Sequence, residues 1–188
     1  MPAGTWTLRP ADVDDRQVIR RLWTESFGPP DGEASRWLDL TLGDASARCW
    51  VATDPADDAI GFLFAAEVDR RFLQSYLRGH PVVDSLPTRV ALIHMLGVSP
   101  AWRSTGVATA LVRRSLKWAN ERVSVMLAAL WRRDDHVDSS GLSPKLEFTH
   151  VSTIEGFYHD RVYCPDCGTS CSCPAAIHVK SLTDEQPS

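Results

Sequence analysis

The chain has 188 residues, carries 24 acidic against 20 basic side chains for a formal net charge of −4, and is 44% hydrophobic. That length suits one domain with a full core, and the negative balance gives no support to a nucleic-acid partner. No apolar run approaches the roughly 18 residues of a membrane helix, and the first ten residues lack the basic and apolar blocks of a secretion signal, so a cytoplasmic protein away from membranes is expected.

Thr5–Arg9 alternates and predicts a first strand. Asp12 is placed to cap a helix running to about Phe27, with Val13, Ile19, Leu22, Trp23 and Phe27 on one face and Gly28-Pro29-Pro30 ending it. A shorter helix over Glu33–Leu42 presents Ala34, Trp37, Leu38 and Leu42. The acids of these first 44 residues outnumber the arginines, a pattern that suits a cationic acceptor weakly and a solvated helix surface better. Arg48–Thr53 and Ala59–Val68 read as strands joined by an acidic turn, and Phe72–Leu77 as a short helix before the Gly79-His80-Pro81 break. Arg89–Val98 is nearly all apolar, as a central strand covered on both faces must be. A helix over Gly106–Arg122 follows, with Val107, Leu111, Leu116 and Ala119 inward, then a buried strand over Ser124–Trp131. Asp134–Pro144 reads as loop with at most a short helix, and Pro144 argues against a regular one. Phe148–Tyr158 and Ala175–Leu182 close the chain as two strands, before a frayed tail at Thr183–Ser188.

The most informative stretch is Leu96-Gly97-Val98-Ser99-Pro100-Ala101-Trp102-Arg103-Ser104-Thr105-Gly106-Val107-Ala108. A strand ends, a polar turn follows, and a helix begins. A helix start leaves backbone N–H groups unpaired and carries partial positive charge, which makes it a natural phosphate site. Gly106 lets a phosphate come close to the backbone, and Arg103 adds a charged, forked donor.

Arg103-x-x-Gly106-x-Ala108 after Val98-x-Pro100 resembles the Gln/Arg-x-x-Gly-x-Gly/Ala acetyl-CoA signature of the GNAT acetyltransferase superfamily, and the order of elements resembles that fold along almost the whole chain. The resemblance implies an α/β protein with a mixed, mostly antiparallel sheet flanked by helices. Its strands Arg89–Val98 and Ser124–Trp131 would splay to admit the pantetheine arm, with the thioester near the middle of the cleft. It further implies that the backbone of Leu96, Gly97 and Val98 holds the acyl and pantetheine portions. Arg103, Ser104, Thr105, Gly106, Val107 and Ala108 would then hold the pyrophosphate. The reaction implied is direct attack of a primary amine, on a small molecule or a protein, upon acetyl-CoA, and a homodimer is compatible with it. His94 matches a histidine of the arylalkylamine branch implicated in removing the amine proton; by strand alternation it shares a face with Leu92 and Leu96. One family feature fails: the tyrosine that protonates the CoA thiolate falls on Ser143, and the preceding asparagine on His136. That mismatch keeps a non-catalytic acyl-CoA-binding module open as an alternative.

Four of the five cysteines fall in Cys164-Pro165-Asp166-Cys167-Gly168-Thr169-Ser170-Cys171-Ser172-Cys173. Cys-x-x-Cys-Gly is a metal-knuckle arrangement, and Cys164, Cys167, Cys171 and Cys173 complete a four-sulfur set suited to structural zinc. Disulfides are the rival, and His159 or His178 could replace one sulfur. The cysteine-rich segment, residues 159–174, reads as an insert in the final hairpin of a single domain spanning 1–188; a zinc-ribbon interaction protein is a further alternative. Cys49, within Arg48-Cys49-Trp50-Val51, is expected to be a buried core thiol.

Overall fold

A computed structural model describes residues 5–28, 32–133, 136–137, 141–159, 161, 163–164, 166–168 and 170–182. Pro29, Pro30 and the 183–188 tail lie outside these, as do the side chains of Glu33, Ala34 and His136. The elements are β1 (Thr7–Pro10), α1 (Arg16–Phe27), α2 (Gly32–Gly43), β2 (Ala47–Thr53), β3 (Ala59–Asp69), α3 (Arg70–Tyr76) and β4 (Arg89–Val98). They continue with α4 (Val107–Asn120), β5 (Val125–Arg133), β6 (His136–Val137), α5 (Leu142–Lys145), β7 (Thr149–Ile154) and β8 (Ala175–Ser181). Seven strands form one sheet in the order β1-β2-β3-β4-β5-β8-β7, with the two-residue β6 pairing β5. Every neighbouring pair is antiparallel except β4 and β5, which α4 connects.

Each face of the sheet carries its own core. Ile19, Leu22 and Trp23 of α1, Trp37 and Leu38 of α2 and Leu73 of α3 pack over Phe62, Phe64 and Leu92 on one side. Val107, Leu111, Val112 and Trp118 of α4, with Leu146 after α5, pack over Leu63, Ala91, Ile93 and Met126 on the other. Burying both faces explains the unbroken apolar runs of β3 and early β4. The inward side of α4 includes Ser115 and Trp118, and Leu116 is only half-buried. Cys49 is buried as expected, which pushes its thiol pKa well up.

Asp12 does cap, but a single 3₁₀ turn at Val13–Asp15 comes before α1. Asp12 accepts from the Asp14 N–H and Asp15 accepts from the Asp12 N–H, a reciprocal capping box. Asp15 is also buried and takes two hydrogen bonds from the Arg9 guanidinium, at 2.6 and 2.9 Å. Burial works against its charge, but the Arg9 hydrogen bonds, the Asp12 N–H and the Arg9 charge outweigh it and hold its pKa below the usual value. This acid therefore belongs to the structure rather than to a solvated surface.

Some strand boundaries differ from expectation. β1 begins two residues late. β7 stops at Ile154 rather than Tyr158, because the chain turns at Gly156, where φ is +59°. Around Pro144 the helix is limited to the four residues of α5, in keeping with the missing proline N–H.

Candidate active site

β4 and β5 pair only through Ala91↔Met126, Leu92↔Leu127 and Ile93↔Ala128. Beyond that point they part, and a cleft of about 1200 Å³ opens between them. Leu96, Gly97 and Val98 line one side and Ala128–Trp131 the other. The β5-facing backbone groups of late β4 thus have no strand partner within the cleft, and buried backbone polar groups require one.

The cleft runs to the start of α4. There Ser104 and Gly106 take positive φ, +64° and +92°, and no side chain caps the helix. The first N–H groups of α4 are left for a ligand. The Arg103 Nε–H donates to the Val98 carbonyl at 3.2 Å, folding the side chain back along the turn. Arg103, Ser104, Gly106 and Ala108 line the cleft; the Thr105 hydroxyl turns back to the Trp102 carbonyl and the Val107 side chain sits in the core. Those two can offer backbone groups only. Gly97 is glycine for a packing reason: a Cβ there would lie 2.6 Å from the Phe62 ring.

His94 lines the same cleft, half-buried, with its ring stacked on Trp37 at 3.9 Å and an edge contact to Tyr76 at 6.1 Å. The alternation argument fails here in one respect. β4 carries a bulge opposite Phe64 and Ala65, which pair with Met95 and Ile93 and leave His94 as the extra residue. His94 therefore shares the α1–α2 face with Leu92, whereas Leu96 lies on the α4 face.

Sequence reasoning did not find the partner of Ser143. Its hydroxyl lies 2.6 Å from Nδ1 of His178, a β8 residue 35 positions away, and both line the cleft. Burial, and then the nearby His150, lower the pKa of His178 and keep it neutral near pH 7. His178 is thus engaged with Ser143 rather than with the cysteines.

Cys164, Cys167, Cys171 and Cys173 converge in the β7–β8 connection, with all four sulfurs within 4.8 Å of one another. Tetrahedral zinc with Zn–S near 2.3 Å places sulfurs about 3.8 Å apart, so the set fits such an ion. No disulfide joins the five cysteines. The knuckle is closed by reciprocal backbone bonds between Cys164 and Gly168, at 2.9 and 2.8 Å. Hydrogen bonding to Cys173 helps push Cys167 up to about 11, and burial leads the rise of Cys173 to about 11. The segment leading into the knuckle walls the cleft: Arg161 donates to the Tyr76 and Ser75 carbonyls at 2.6 and 3.0 Å and covers the Phe157 ring. Arg133, on the β5 side, pairs with Asp166 of the knuckle at 3.3 Å.

Among curated proteins, none matches the sequence. Solved structures do match the fold. Arabidopsis thaliana NAA60 in complex with acetyl-CoA is 17% identical with a TM-score of 0.74, over 95% of this chain and 99% of that one. The ribosomal-protein-S18-alanine N-acetyltransferase of Escherichia coli is 13% identical with a TM-score of 0.67, over 98% and 99%. A mosquito arylalkylamine N-acetyltransferase like 5b is 16% identical with a TM-score of 0.66, over 95% and 100%. The model of the acetyltransferase (GNAT) family matches residues 16–145. With that match spanning more than half of the sequence, and with β4 and β5 splayed beside an uncapped glycine turn, the chain belongs to the acetyltransferase (GNAT) family.

Proposed function

We propose that the protein transfers the acetyl group of acetyl-CoA to a primary amine, on a small molecule or a protein, in a ternary complex. The observation that carries this reading is the continuity of one cleft from the α4 turn to the apex where β4 and β5 part. The pyrophosphate is held by N–H groups of Ser104–Ala108 and the Arg103 guanidinium. The pantetheine amides pair with the β4 backbone at Leu96–Val98, which sets the thioester near Ile93 and Ala128. The amine enters from the α1–α2 face, where His94 lies. His94 takes the ammonium proton, the amine nitrogen attacks the carbonyl carbon, and the C–S bond breaks with its electrons on sulfur.

Cys164, Cys167, Cys171 and Cys173 hold one zinc ion with a bracing role, since Arg133 ties the knuckle to the cleft wall. Five cysteines joined by no disulfide suit a reducing compartment such as the cytoplasm. Among the described residues, no helix is long and apolar enough to cross a membrane.

The test is calorimetric titration with acetyl-CoA, followed by CoA release against a panel of amines. His94→Gln should lower turnover by about 100- to 10,000-fold and leave acetyl-CoA affinity unchanged. Wild-type turnover in that variant across the neutral pH range would remove His94 from the chemistry. Absence of acetyl-CoA binding would remove the reading.

A further inference from the structure

We propose that the Ser143 hydroxyl is the donor that receives the departing CoA sulfur, and that His178 is the positioning residue that aims it. The inference rests on the acetyl-transfer reading. His178 pairs directly across from Ala128, the last β5 residue joined to β4. The imidazole is thus one strand away from the apex of the cleft. It points to the α4 face, since its neighbours Ile177 and Val179 belong to the opposite core, and Ser143 comes to meet it from α5. His94 stands on the other face. Proton removal and sulfur release are therefore served from opposite sides of the sheet.

A serine hydroxyl has one proton and two lone pairs. If His178 Nδ1 accepts, that proton is spent on the ring. If Nδ1 carries the hydrogen, Ser143 accepts it and its own proton is free to face the cleft. The other contact of Ser143, to the Phe148 carbonyl, is a long 3.4 Å and is readily given up. The groups facing His178 favour a neutral ring: His150 lies 5.3 Å away between centroids, and Lys180, two residues along β8, is paired with Glu147 at 2.7 Å. A neutral ring holds the hydroxyl but does not feed it a proton. The step is then C–S cleavage with the electron pair moving to sulfur, a hydrogen bond from Ser143 to the thiolate, and completion of the thiol by the proton released from the amine through solvent.

Hydroxylamine is a suitable acceptor for the test, because it is largely unprotonated near neutral pH and dispenses with the base. CoA release from acetyl-CoA is measured for the wild type, Ser143→Ala, His178→Ala and His178→Asn, each checked by thermal melting. Loss of one preorganised donor typically costs about 100- to 1,000-fold in kcat; that loss is expected for Ser143→Ala, with acetyl-CoA affinity within about twofold of wild type. His178→Ala should lose a similar factor, and His178→Asn should regain most of it, because its amide N–H replaces Nδ1–H. If His178→Ala does not fold, Ser143→Ala and His178→Asn decide the question. Wild-type kcat in Ser143→Ala overturns the proposal. So does an Asn variant as slow as Ser143→Ala, or an acetyl group found on Ser143 by intact mass after acetyl-CoA alone, which would make it a nucleophile. A wild-type protein that binds acetyl-CoA but releases no CoA faster than buffer with hydroxylamine or with any amine of the panel overturns acetyl transfer itself, and the proposal with it.

Discussion

Gly106→Ala separates the phosphate turn from the fold. Gly106 has φ +92° and ψ −6°, and an L-residue held left-handed costs about 1–2 kcal/mol. Against a typical stability of about 5–15 kcal/mol, the variant should remain folded. The added Cβ meets no protein atom within 4 Å except Trp6 Cζ2, at 3.9 Å. Its cost therefore falls on whatever occupies the cleft mouth, which Gly106 lines. Displacing the pyrophosphate from one backbone N–H forfeits a hydrogen bond to a charged group, about 1.5–3 kcal/mol. At 1.4 kcal/mol per tenfold, acetyl-CoA affinity should weaken by about 10- to 150-fold. Calorimetry reads this directly, and acetyl-pantetheine, which lacks the pyrophosphate, serves as the control and should bind both proteins alike. Unchanged acetyl-CoA affinity in a folded variant, or an equal loss with acetyl-pantetheine, would refute the placement of the phosphates.

Gly97→Ala should act on the fold instead: its Cβ meets Phe62 at 2.6 Å, and overpacking of that kind costs about 1–3 kcal/mol, visible as a lower denaturation midpoint. Elemental analysis of protein purified without added metal should find close to one zinc per chain. Cys164→Ser should lower that content and the melting temperature together; a metal-free protein with unchanged melting would contradict the assignment. Asp15 has a folded pKa below its unfolded value of about 3.9, so its contribution is complete above that value and disappears as pH falls through the folded one. Asp15→Asn should therefore destabilise the protein near pH 7 and flatten the acid limb of its stability curve; parallel curves for the two proteins would count against the Arg9–Asp15 account.

Where local chemistry decides the structure, the chain could be read directly. The limits of β4 coincide with the expected Arg89–Val98, because a doubly covered strand must be apolar throughout and ends at Ser99-Pro100. Asp12 caps because the need of the helix start is met within three residues. The turn from Arg103 to Ala108 was legible for the same reason, as were the four cysteines. The bulge at His94 was not, since it is a property of the pairing with β3 and not of β4 alone. Nor was Ser143 with His178: they sit on separate elements and meet only once β8 is laid beside β5. In the sequence Asp15 looks like one more acid of a solvated helix, because its partner Arg9 reaches it from the preceding strand.

The β4 bulge also changes the spacing of side chains along the strand. On the α1–α2 side, His94 and Met95 follow each other without a gap. On the α4 side Ile93, Leu96 and Val98 lie opposite Ala65, Leu63 and Gly61, so that row keeps its regular step. The extra residue thus places an imidazole on the amine side without shifting the row on the other. A deletion of His94 that restored strict alternation would therefore take the imidazole away and leave Ile93, Met95 and Leu96 on the faces they already occupy.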